Sequence, residues 1–169
     1  MTSRADFSDD EWERLGRAPL LAGVAISLAD PGGPIEALKE SRAALNTVLE
    51  AAREGGFGGF VQSVASDVAE KAQRRENPLA GFTPARRDTR EAILDELRAV
   101  YALLLEKAAA EDVDDFREWT RIASQRAALA AKEGGFMGIG GQRVSEREQQ
   151  MLETLGEIFG VPRSSPPGA

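Results

Sequence analysis

Few kinds of residue in this chain could do chemistry. Its 169 residues include no His and no Cys, with 21 Lys+Arg against 28 Asp+Glu. That rules out an imidazole base, a Ser-His-Asp triad, a thiolate nucleophile, a disulfide and any His- or Cys-ligated metal. Carboxylates, Lys, Arg, Ser, Thr and a single tyrosine, Tyr101, remain. The densest acidic run is Glu111, Asp112, Asp114, Asp115 and Glu118, and hard oxygen ligands of this kind suit Ca2+ or Mg2+. The run lacks the alternating-aspartate spacing and distal Glu of an EF-hand loop. Helix capping and complement of the helix dipole account for it, so no metal site and no cofactor is assigned. No pair of carboxylates stands out as an acid and a base.

Two other groups of residues suggest binding. Lys71, Arg74, Arg75, Arg86, Arg87 and Arg90 give the window Glu70–Arg90 a net charge of +3 in a chain whose total is −7. Arg74, Arg75, Arg86, Arg87 and Arg90 are therefore anion-binding candidates, for a phosphate or an acidic partner. A solvated face with pairing along the helix is the competing reading. Two Gly-rich loops hold nine of the 17 glycines. They have no Gly-Lys-Ser/Thr ending and follow no strand, so they are not phosphate loops. Either they are helix C-caps whose phenylalanines fold onto the core, or Phe57, Phe60, Phe136, Met137 and Ile139 form an exposed apolar docking surface.

Helices must position these residues. Ala supplies 27 residues, and Val, Ile and Thr together supply 21, a bias toward helix. No window alternates apolar and polar residues as a strand would. The fold expected is all-α, a six-helix bundle. Ser8 with Glu11 forms a capping box, flanked by the Phe7–Trp12 staple, and opens a first helix reaching about Ala29. Pro19 lies inside it and predicts a kink or break. The second helix runs from Pro34 to Glu54 and ends at Gly55-Gly56 as a left-handed cap. The third starts near Gly59 and ends by Glu76, the fourth follows Thr83-Pro84, and Asp112 caps the fifth. Ser145 with Glu148 opens the sixth. Tyr101 reads as a core residue with a satisfied hydroxyl.

The heptapeptide from Ala51 to Phe57 and that from Ala130 to Phe136 read alike at an offset of 79 residues. An extra step of about eight brings the third helix onto the sixth. The chain thus reads as one helical domain over 1–161, with a tail at 162–169. Its halves, about 8–76 and 84–160, form two three-helix units that would pack about a pseudo-twofold axis.

Residues 29–36 (ADPGGPIE) and 141–148 (GQRVSERE) resemble turns of the TerB-like domains associated with tellurite resistance. The resemblance covers about 40 residues. It implies an all-helical bundle with internal twofold character and acidic turn residues linked to metal binding. Here the first turn carries an inserted Pro-Gly, and Gly140-Gly141 stands where an Asp is expected. Only Asp30 carries over as a ligand, and one Asp does not make a site.

The longest apolar run, Ala18–Ala29, has twelve residues, too few to span a bilayer. The net negative charge argues against nucleic acid, which needs a basic face, and no membrane insertion is expected. The function expected is that of a non-enzymatic cytoplasmic helical domain acting through protein–protein contact or self-association, in a stress-associated context by analogy. The alternative is a divalent-metal or small-anion binding module.

Overall fold

In a computed structural model, residues 1–29, 45–83, 89–133 and 145–160 are described. Among them the fold is all-α, with six helices and no strand. A short 3-10 turn, Arg4–Asp6, precedes α1 (Asp9–Ser27). Then come α2 (residues 45–54), α3 (Gly59–Gln73), α4 (Thr89–Lys107), α5 (Ala110–Glu133) and α6 (Glu146–Ile158). No helix among the described residues is long and apolar enough to cross a membrane.

α1 is the axis of the molecule. It packs against α3, α4, α5 and α6, most extensively against α5. Its capping box forms as the sequence requires: Glu11 N donates to Ser8 Oγ at 3.2 Å, and Ser8 N donates to Glu11 Oε2 at 2.8 Å. The staple rings of Phe7 and Trp12 lie 5.8 Å apart. The break expected at Pro19 does not occur, since the helix is continuous through it. The segment after Pro19 buries Leu20, Leu21, Ala22, Gly23, Ala25 and Ile26, and packing on nearly every side holds it across one missing hydrogen bond. The helix ends at Ser27, two residues before the expected Ala29.

Two helix ends follow left-handed caps. Gly56, after α2, has φ +65°, as the Gly-Gly pair predicts. α3 ends in a Schellman pattern, with Arg75 N donating to Ala72 O at 3.1 Å and Glu76 N to Lys71 O at 3.0 Å. Here the left-handed position is filled by Arg75 itself (φ 60°) rather than by a glycine. The expected opening of the second helix at Pro34, the segment after Pro84 and the tail at 162–169 lie outside the described residues.

An aromatic chain knits the core. Phe7 lies 5.8 Å from Phe60, Phe60 lies 6.2 Å from Phe116, and Phe116 meets Trp119 edge-on at 5.4 Å. Both indoles have acceptors: Trp119 Nε1 donates to Val48 O at 2.8 Å, and Trp12 Nε1 donates to Asp67. Tyr101 is half-buried edge-on to Phe159, at 5.8 Å between ring centroids.

Candidate functional site

The acidic run is the place where sequence most suggested chemistry, and four of its five carboxylates, those of Asp112, Asp114, Asp115 and Glu118, are occupied structurally. α5 opens at Ala110, so Asp112 lies inside its first turn and is not the N-cap expected. The capping hydroxyl comes from the start of the chain, because Ala109 N donates to Thr2 Oγ1 at 2.9 Å. Thr2 N in turn donates to Asp112 Oδ2 at 2.8 Å. Thr2 is thus inserted between the Ala109 N–H and the Asp112 carboxylate at the start of α5, although it lies more than 100 positions from both. One turn further on, Asp115 Oδ2 accepts from Gly58 N at 2.7 Å, which fixes the start of α3. Asp114 pairs with Arg117, and Glu118 pairs with Arg121 through two hydrogen bonds. The Arg121 guanidinium holds the Glu118 carboxyl below its ordinary value. Among the described residues, no group of three Asp or Glu side chains is placed to hold a metal ion.

Some members of the basic group have acidic partners. Arg74 pairs with Glu70 and Glu76, at 3.8 and 2.8 Å. Lys71 reaches Glu13 on α1 at 3.0 Å. Arg75 is exposed on its left-handed turn, and Arg90 is exposed in the first turn of α4. Arg86 and Arg87 lie outside the described residues, as does Asp30.

The first Gly-rich loop is largely a cap. Phe60 is 2% exposed and lies among Phe7, Trp12 and Phe116, so it is a core residue and not the docking residue expected. The reason is geometric: Phe60 sits in the first turn of α3, which faces the aromatic core. Phe57 is half-buried against that core, its ring folded over Gly55, where a Cβ would collide with the ring. Phe136, Met137 and Ile139 lie outside the described residues.

Sequence reasoning missed a charged cluster between α1 and α4. Arg14 grips Glu96 through Nε and Nη2, each at 2.9 Å. Arg17, only 5% exposed, reaches Glu96 Oε1 at 3.3 and 3.4 Å and donates to Ala80 O at 2.8 Å. Burial pushes the Glu96 carboxyl up, but the hydrogen bonds and charges of Arg14 and Arg17 more than offset this and hold it below the ordinary glutamate value. Gly81 lets the chain pass this cluster, with φ +81° and a virtual Cβ 2.8 Å from Arg17 Nη1. The available signal was Arg17 at the edge of the apolar run from Ala18, one turn after Arg14, since a buried guanidinium requires an acid.

The far part of α5 is different in character. Leu129 is 57% exposed there. Arg126, three residues earlier and on the same helix face, reaches Glu54 at the end of α2 with a 2.6 Å bond. That contact brings this face of α5 beside the segment leading to Phe57. Compared with family models, curated proteins and solved structures, the chain has no match.

Proposed function

We propose that this chain is a non-enzymatic cytoplasmic helical domain that works through protein–protein contact. The observation that carries the reading is Leu129. It is a large apolar side chain 57% exposed on α5, and its face is tied through Arg126–Glu54 to the loop bearing Phe57. Five residues further along the chain begins the segment with Phe136, Met137 and Ile139. A large exposed apolar side chain near the loop that bears half-buried Phe57 supports a contact surface. The structural occupation of Asp112, Asp114, Asp115 and Glu118 supports the same reading, because those carboxylates already have work in the fold.

Two finer elements belong to the proposal. The chain is read as an internal duplication: α3 opens at Gly59 and α6 at Glu146, and 146 − 59 = 87 residues equals the 79-residue offset plus the step of eight. The stress-associated context rests on the TerB-like resemblance alone.

The test combines a partner comparison with a solution-size measurement, using the full chain and a variant carrying Phe57→Ser, Leu129→Ser and Phe136→Ser. The reading expects partners or self-association to be lost in this variant and also in Leu129→Ser alone, whose melting midpoint stays close to wild type. Unchanged partners and unchanged size would remove it.

A further inference from the structure

Late in α5 a strip of side chains comes to the surface. Ile122, Gln125 and Leu129 are spaced by three and four residues, so they share one side of the helix. Ile122 is half-buried, whereas Gln125 and Leu129 are exposed. At this spacing one helix can seat its side chains along another. An ion pair stands on either flank. Arg121 holds Glu118 at 2.5 Å, and Arg126 holds Glu54 of α2 at 2.6 Å. These four charges cancel, so the chain's net charge of −7 resides elsewhere. A strongly basic or acidic partner finds no complementary field on such a strip. A second copy, which repels the first through its net charge, finds no repulsion there.

We propose that this strip pairs with the same strip of a second copy, the two α5 helices running antiparallel about a twofold axis beside Gln125. The inference rests on the contact surface around Leu129 and names its occupant. In this pairing Leu129 of each copy packs on Ile122 of the other, and the two Gln125 side chains meet at the axis. Gln125 Oε1 accepts from Arg121 Nη1 at 2.8 Å, and its amide nitrogen can donate across the axis. One polar residue in such a seam fixes the register at some cost in affinity. Each flanking arginine keeps an acid beside it, so the seam closes without bringing bare like charges together. The strip is short, which makes the pair a weak one that forms at micromolar concentration or above.

Sedimentation velocity of the full chain over a concentration series tests the pairing. Wild type is expected to pass from monomer to dimer, and Leu129→Ser to stay monomeric at the same concentrations. Gln125→Glu and Gln125→Lys, both at an exposed position, should each weaken the dimer about tenfold, because each sets like charges together at the axis. An equal mixture of the two should recover it, which only a strip meeting its own copy can do. Wild type that stays monomeric into the millimolar range would overturn the pairing. So would a mixture no better than either variant alone, or a dimer that survives Leu129→Ser. If wild type is monomeric yet Leu129→Ser abolishes capture of other proteins, the second copy fails and the contact surface stands. If neither size nor capture responds to Leu129→Ser, both fail.

Discussion

Asp112 and Leu129 lie on the same helix, seventeen positions apart, and meet opposite fates. The opening of α5 is dense with charge, and the carboxylates of Asp112, Asp115, Asp114 and Glu118 are satisfied by Thr2 N, Gly58 N, Arg117 and Arg121. The later part of α5 carries a 57% exposed leucine with an ion pair beside it. Polar groups that look reactive in sequence hold backbone ends and helices together, whereas an unremarkable leucine is left uncovered. A carboxylate in a folded protein is drawn to orphan N–H groups and cations, so density of charge measures structural demand as much as chemistry. Exposed apolar area has no such internal outlet.

If this contrast holds, changes among the tied polar groups should cost stability and leave association alone, and changes on the far part of α5 should do the reverse. The largest effect is expected for Glu96→Ala, which strands the nearly buried Arg17 and should cost about 3 kcal/mol in urea unfolding. Gly81→Ala comes next. It forces a side chain into a left-handed conformation against Arg17 Nη1, at about 2 kcal/mol in the same measurement. Asp115→Ala removes the acceptor for Gly58 N and should cost about 1 kcal/mol, read as a lower melting midpoint.

Acid titration sharpens the polar side further. Glu96 and Glu118 are held below the ordinary 4.5, so each contributes stability that is present above that value and lost as pH falls through the folded one. Stability should therefore decline from about pH 4.5 downward. Glu96→Gln should flatten that decline when unfolding is followed against pH. The smallest expected effect on stability is that of Leu129→Ser, within about 0.5 kcal/mol, as for an exposed position.

The helical class was legible because its signals are local. The Ser8–Glu11 and Ser145–Glu148 capping boxes and the Gly56 cap each require only neighbouring residues, and each forms as read. Pro19 makes no break because the cost of its missing N–H is local, whereas the packing that keeps the helix continuous comes from the surrounding bundle. Asp112 was misplaced as a cap because the true capping hydroxyl belongs to Thr2, and no short-range pattern connects residues 2 and 109. Phe60 groups with the apolar residues of the loop because it follows Gly58-Gly59; the third helix starts there as expected, but that its first turn faces the aromatic core depends on packing that no local pattern carries. Arg14, Arg17 and Glu96 escaped notice because ion pairs between helices leave no spacing rule in either helix.

The central claim, that the tied polar groups build the molecule and the proposed contact lies around Leu129 on α5, is tested most directly by one paired comparison. Partner binding and solution size are measured for wild type, Leu129→Ser and Asp115→Ala at matched concentration, well below each melting midpoint. The account predicts that Leu129→Ser loses association with its melt unchanged, while Asp115→Ala melts earlier and still associates. Association lost in Asp115→Ala and retained in Leu129→Ser would contradict it.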